Sequence, residues 1–303
     1  MSPDKTESCM NTPFTSDFHS VSANVTRPNT RRILLKTALG LGYAACLPLP
    51  AQTAIRTSGE GLVHGEVMID VNGFQMPAYR SMPAHKKACP VVLVVSEIFG
   101  VHEYIADITR RLARQGYMAI APELMVRQGD PSSYAEMGKL IAEVVSKVPD
   151  AQVMADLDAT AAWANQNGGD ASKLAITGFC WGGRITWMYA AHQPSVKAAA
   201  AWYGKLTGDR SPLTPQYPQD IAGDLKVPVL GLYGSADTGI PMEHVLKMQN
   251  SLAQNTSAAK SNIHVYADVP HAFHADYRAS YREAQAKDAW QRMLDWFAQH
   301  GVV

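Results

Sequence analysis

The hexapeptide Gly178-Phe179-Cys180-Trp181-Gly182-Gly183 lies between a short apolar run at residues 173–177 and a helix-like stretch at residues 184–192. A cysteine flanked by glycines two positions to either side, at a strand-to-helix junction, is the thiol form of a nucleophile elbow. Such a turn crowds the backbone, and glycines at 178 and 182 leave the room it needs. It also lifts the side chain above the sheet edge and turns the first N–H groups of the helix toward a bound carbonyl. The bland alternative, Cys180 as a small buried hydrophobe, does not call for that context.

The rest of the chain fits a single sheet around this turn. Residues 90–96 form a continuous apolar run, as expected of a parallel strand covered on both faces. Further strands are expected at residues 117–122, 173–178, 196–203, 228–233 and 262–266. Helices are expected at residues 104–115, 133–148, 151–166, 183–192, 242–254 and 281–300. Asn72-Gly73 separates two alternating segments, 67–71 and 76–80, and marks a hairpin. Strands alternating with helices predict a doubly wound, mostly parallel α/β sheet in one domain. Its 303 residues suffice for one large core.

The first 57 residues are of another kind. Residues 1–29 are rich in Ser, Thr, Asn and Pro, with little to bury, and are expected to be disordered. Arg31-Arg32 then precedes a short apolar run at residues 37–49 and small residues at 51–54. This is the order of an export signal of the twin-arginine type, although Leu34 stands where that pattern favours Phe. The run is too short for a permanent membrane anchor. The expected boundaries are thus a leader over 1–57 and a catalytic domain over 58–303, delivered to the periplasm or secreted by the twin-arginine machinery. An uncleaved leader on a cytoplasmic protein is the alternative. With Cys9 and Cys46 in the leader, only Cys89 and Cys180 remain, which is no disulfide framework.

Lys and Arg number 27 and so do Asp and Glu, so composition offers no electrostatic footprint for nucleic acid. No phosphate loop and no paired metal-ligand motif is present, so neither a cofactor nor a metal is expected. A small-molecule substrate is the default partner, and the protein is expected as a monomer.

On a sheet of this kind the nucleophile is followed in the chain by an acid and then a histidine. Asp237 follows the strand at 228–233, and His271 follows the strand at 262–266. Asp237 could equally serve as a turn or N-cap residue. His264 and His274 rival His271, but His264 lies within its strand and His274 could belong to the core. Glu97 ends the buried strand at 90–96, where a carboxylate must be paired, hydrogen-bonded or turned to solvent. The backbone N–H groups of Ile98 and Trp181 occupy the places where this fold supplies its oxyanion hole.

Residues 65–297 resemble the dienelactone hydrolase (carboxymethylenebutenolidase) family. The resemblance rests on Ser96-Glu97-Ile98-Phe99-Gly100-Val101, Glu123-Leu124-Met125-Val126-Arg127-Gln128, the elbow itself, Gly234-Ser235-Ala236-Asp237 and Pro270-His271-Ala272-Phe273. It implies an α/β-hydrolase fold with a Cys180–His271–Asp237 triad that cleaves a lactone or small ester through a thioester. It further implies that Glu97 holds the resting Cys180 as a neutral thiol until substrate shifts it, and that Arg127 pairs with a substrate carboxylate. A structural role for Arg127 remains open. Family members acting on dienelactone tend to carry a serine just after the histidine and an arginine three positions beyond that serine, whereas this chain has Ala272 and Ala275. An exported ligand-binding protein on a hydrolase scaffold is the alternative function. Peroxide or disulfide chemistry at Cys180 would need Cys89 as its partner.

Overall fold

The computed structural model describes residues 54–254 and 261–303. The expected leader up to residue 53 and its arginine pair, together with Cys9 and Cys46, lie outside the described residues. Eight strands form one sheet in the order β1-β2-β4-β3-β5-β6-β7-β8. These are β1 (Leu62–Val71), β2 (Phe74–Pro83), β3 (Cys89–Val95), β4 (Met118–Pro122), β5 (Gly169–Phe179), β6 (Ala198–Trp202), β7 (Val229–Gly234) and β8 (Asn262–Tyr266). The helices are α1 (Glu103–Arg114), α2 (Met137–Glu143), α3 (Asp150–Gln166), α4 (Trp181–His192), α5 (Pro218–Ile221), α6 (Met242–Gln254) and α7 (Glu283–Gln299).

The first two strands make the expected hairpin, and it is longer at both ends than the alternation implied. Asn72 and Gly73 have φ of 52° and 88°, the conformation at both central residues that suits a two-residue hairpin loop. β2 joins β4 antiparallel, and from β4 to β8 every pair is parallel. All seven residues of β3 are buried, as are all five of β4 and of β6. Continuous burial explains why these strands read as unbroken apolar runs. β6 is Ala-Ala-Ala-Ala-Trp, a sequence of weak strand preference. All five residues are buried, and Trp202 at the strand's end packs its ring against Phe179 and Phe273.

The single helix expected over residues 133–148 is not formed. That segment is a 3₁₀ turn at Pro131–Ser133, then α2, then a second turn at Val145–Lys147. Tyr134 and Glu136 are extended, with ψ of 123° and 120°. Leu140, Val144 and Val148 are all buried. Their four-residue spacing mimics one helical face, but the chain bends between them to keep all three on the core.

Thr57, the last residue of the expected leader, is hydrogen-bonded to α1. Thr57 donates from its backbone N to Asp107 Oδ1 at 2.6 Å and from Oγ1 to Asp107 Oδ2 at 3.1 Å. Asp107 is also held by Arg110 and Arg111, and Arg111 continues to Asp276. This network ties the chain at Thr57 onto α1.

Candidate active site

Strand register places the chemistry. Val95 pairs with Gly178, Phe179 with Trp202, Trp202 with Leu232, and Gly234 with Tyr266. The carboxyl ends of β3, β5, β6, β7 and β8 therefore align, and Glu97, Cys180, Tyr203, Asp237 and His271 all follow directly from them. This edge is where ligands bind in open α/β sheets.

Cys180 has φ 55° and ψ −112°, a conformation that costs an L residue energy and persists only where its surroundings enforce it. The enforcement is visible. The Cys180 amide donates to Trp202 O at 3.0 Å, while Cys180 O accepts from Gly183 N and Arg184 N at 3.0 and 3.2 Å. A Cβ at Gly178 would stand 2.3 Å from Gly182 O, and one at Gly182 would stand 2.3 Å from Val95 O. The end of β3 thus lies against the first turn of α4. That contact brings the segment carrying Ile98 beside Trp181, whose N–H lies in the first turn of the helix and has no intrahelical acceptor.

Asp237 and His271 are brought together by the loops after β7 and β8. Ser235 N donates to Tyr266 O at 2.9 Å and Ala236 N to Val269 O at 3.0 Å, and Asp268 N reaches Ser235 Oγ at 2.9 Å. His271 Nδ1 then lies 2.6 Å from Asp237 Oδ2. A carboxylate only accepts, so Nδ1 carries the proton and Nε2 is left for the sulfur. The other Asp237 oxygen accepts from Gly239 N at 2.9 Å and Ile240 N at 3.1 Å. The two roles considered for this aspartate thus coexist: Oδ1 closes a turn while Oδ2 holds the histidine. Burial disfavours the charged imidazole, but Cys180 and the Asp237 carboxylate outweigh it and push His271 up to about 10.

The rival histidines have other surroundings. His274 is buried, with Nδ1 2.7 Å from the Tyr104 hydroxyl and its ring stacked on Phe179 and Trp290. Burial drives it well below the usual histidine range, so it stays neutral in the core. His264 is half-buried on β8 with its ring edge against Tyr266.

Glu97 is 2% exposed, so the surface-pointing alternative does not hold. Its Oε2 lies 3.0 Å from His102 Nε2, and its Oε1 accepts from the Tyr277 hydroxyl at 3.2 Å. Arg278 Nε in turn donates to the Tyr277 oxygen at 3.2 Å. Burial works against ionisation, yet His102 and Arg278 hold the carboxyl below its usual range. Tyr203, with φ 38°, packs its ring edge 5.1 Å from His271 and stands close enough to feel both Cys180 and Glu97.

Arg127 does not join this group. Its two terminal nitrogens donate to Asp156 at 2.6 and 2.9 Å, and its guanidinium lies 4.1 Å from the centre of the Phe74 ring. The fork is filled by a carboxylate of its own chain that is 1% exposed. In this structure the side chain performs a structural role, two of its five N–H donors going to that pair. The cation that approaches Cys180 and Glu97 is Arg278, seated 5.0 Å over the Phe99 ring. His102, Tyr203, Tyr277 and Arg278 escaped the sequence reading. The available signal was modest: a histidine five positions past Glu97 and a Tyr-Arg pair just beyond His271.

Cys89 and Cys180 are both free. Cys89 opens β3 and pairs with Gly169, whereas Cys180 follows the far end of β5. Six residues of strand separate them, about 20 Å, too far for a disulfide. Among the described residues no group of three or more His, Cys, Asp or Glu could hold a metal ion, and no helix is long and apolar enough to cross a membrane.

The model of the dienelactone hydrolase family matches residues 76–301. A Methylorubrum extorquens protein named "Putative carboxymethylenebutenolidase" is 53% identical over 294 residues, covering 96% of this chain and 100% of that one. A Salmonella typhimurium protein of the same name is 57% identical over 261 residues, covering 86% of this chain and 96% of its own. The crystal structure of a "Putative Dienelactone Hydrolase" from Klebsiella pneumoniae matches with a TM-score of 0.77 at 58% identity, over 78% of this chain and 99% of that one. With its parallel sheet, its elbow and its strand-end loops, the chain belongs to the dienelactone hydrolase family.

Proposed function

We propose that the protein is a carboxylic ester hydrolase that opens a lactone or small ester through a thioester on Cys180. The observation that carries this is the 2.6 Å contact of His271 Nδ1 with Asp237 Oδ2, on a histidine close enough to Cys180 for the two to influence each other's charge. The Cys180 sulfur, as thiolate, attacks the carbonyl carbon, and the carbonyl oxygen becomes an oxyanion facing the N–H groups of Ile98 and Trp181. Collapse breaks the carbon–oxygen bond. His271 gives its Nε2 proton to the departing alkoxide, leaving a thioester. Water then attacks the thioester with His271 taking its proton, and the acid leaves as the thiolate returns. Asp237 keeps the imidazole in the tautomer that both steps need. The test is hydrolysis of p-nitrophenyl acetate and cis-dienelactone by the full chain and by Cys180→Ala.

Arg278 is the better-placed cation for a substrate carboxylate, since both terminal nitrogens of Arg127 are engaged by Asp156. Among the described residues neither Nη of Arg278 has a hydrogen-bond partner, and its ring contacts with Phe99 and Tyr277 hold the fork in place. Losing one charged hydrogen-bond donor to a carboxylate costs roughly 10- to 100-fold in binding. Arg278→Ala is therefore expected to lower the preference for cis-dienelactone over p-nitrophenyl acetate by that factor, read as the ratio of the two kcat/KM values. Arg127→Ala is expected to lower the melting temperature and leave that ratio unchanged. The reverse pattern would return the role to Arg127.

Arg31-Arg32 and the short apolar run behind them support export of the folded protein to the periplasm. Replacing both arginines by lysine is expected to leave the protein in the cytoplasmic fraction at its precursor mass. Unchanged delivery would point to another route.

A further inference from the structure

A buried carboxylate beside a thiol can do one of two things. It can take the thiol's hydrogen bond and keep the sulfur neutral, or other donors can hold it and leave the sulfur to its histidine. The hydrogen bonds of Glu97 favour the second. Oε2 is met by His102 Nε2 at 3.0 Å and Oε1 by the Tyr277 hydroxyl at 3.2 Å. The proton on Tyr277 has a fixed direction. Arg278 Nε can only donate, and it donates to the tyrosine oxygen at 3.2 Å, so the single hydroxyl hydrogen goes to Glu97. The ionised carboxylate accepts from both sides, and among the described residues none of its hydrogen bonds goes to Cys180.

The holders are themselves held. His102 immediately precedes α1, its carbonyl accepting from Ala106 N at 2.9 Å. Its ring stacks 5.9 Å from Tyr104 and meets Tyr277 edge-on at 5.2 Å. Neither ring can turn without breaking a packed aromatic contact. The groups that face Glu97 are His102 and Tyr104 from the α1 side, Tyr203 after β6, and Tyr277 and Arg278 beyond His271. A carboxylate near a sulfur opposes a thiolate by like-charge repulsion, and donors on both of its oxygens draw that charge away.

We propose that His102 and Tyr277 are positioning residues that hold Glu97 off the Cys180 sulfur, so that the Cys180–His271 pair is ready to react before any substrate binds. This deepens the hydrolase reading and rests on it. The resting state then differs from the one the family resemblance implied, in which a substrate must first displace the glutamate. Substrates with no carboxylate, such as neutral esters and lactones, need no trigger and are turned over as well.

The test is the rate at which iodoacetamide alkylates Cys180 in the full chain, followed by mass spectrometry of its peptide. The scan runs between about pH 5 and 10, across the ordinary cysteine range near 8.5. The wild type is expected to hold a plateau of reactivity well below that range. His102→Ala and Tyr277→Phe are each expected to lose at least about tenfold of the rate near neutral pH. Adding Glu97→Gln to either is expected to restore it, because the freed carboxylate is then gone. His102→Gln, which keeps an N–H donor, is expected to retain the plateau. A wild-type rate that simply climbs through the ordinary range overturns the proposal, and so does a clamp variant that alkylates as the wild type does. Failure of Glu97→Gln to rescue overturns it too. Should His102→Ala not fold, the wild-type profile and Tyr277→Phe decide. Ester hydrolysis measured alongside keeps the two readings apart: activity that survives Cys180→Ala sinks the hydrolase mechanism, whereas Cys180-dependent activity without the plateau sinks only the clamp.

Discussion

Replacing Cys180 by alanine is expected to lower kcat/KM for p-nitrophenyl acetate and for cis-dienelactone by roughly four to six orders of magnitude. The size follows from the position of the sulfur. Cys180 sits at a backbone φ of 55° that three backbone hydrogen bonds enforce, and His271, anchored on Asp237, lies within electrostatic range of it. Alanine keeps the backbone and the pocket, so what is removed is the bond-forming atom. His271, Asp237 and the amides of Ile98 and Trp181 remain and can still assist water, which sets the floor. Initial rates with active-site-titrated protein, with near-ultraviolet circular dichroism to confirm the fold, measure the effect. Loss of both activities supports the thioester route and the family substrate, despite Ala272 and Ala275. Loss of ester hydrolysis with no dienelactone turnover in the wild type keeps the route and discards that substrate. A mutant as active as the wild type would transfer the chemistry elsewhere and leave a ligand-binding protein as the better description.

Gly182→Val is expected to show the largest structural effect of any single substitution at the site. A Cβ there would lie 2.3 Å from Val95 O and 2.6 Å from Ser96 O. Both are backbone atoms at the end of β3, a strand held between β4 and β5. Neither side has a flexible side-chain tip that can move, so α4 must separate from the sheet. Overpacking of this kind costs about 3 kcal/mol, which corresponds to a melting temperature lower by roughly 6 to 12 °C for a domain of this size. The activity loss is expected to exceed the folding loss. The same contact fixes the end of β3 relative to the start of α4, which carry the proposed donors Ile98 and Trp181, and a displacement of about 1 Å costs on the order of 100-fold in rate. Differential scanning calorimetry with kcat measured on the folded fraction separates the two. A variant that melts and turns over like the wild type would show that the strand-to-helix contact is softer than the distances imply.

Particular segments differ in how far the chain alone disclosed them. The start of α6 at Met242 and both boundaries of β8 at Asn262–Tyr266 agree with the expectation residue for residue. β1 and β2 extend beyond their alternating cores, since pairing across a hairpin carries a strand past the point where its own pattern fades. The segment at 133–148 misled, because Leu140, Val144 and Val148 have helical spacing but reach the core across a bent chain.

The sequence by itself determined the glycine-flanked turn at Cys180, the strand–helix order and the places of Asp237 and His271 just past strand ends. Each depends on neighbours within a few residues: glycine where a Cβ would strike backbone, apolar runs where both faces are covered, a polar residue just past a strand. Only the tertiary structure decided the partners of the charged groups. Arg127 was tied to Asp156, 29 residues further on, and Glu97 to Tyr277, 180 residues further on. Such pairings are set by which loops the register of β3, β5, β7 and β8 stacks at one sheet edge. A buried charge must find its counter-group in that assembled crevice, and no local pattern names it in advance.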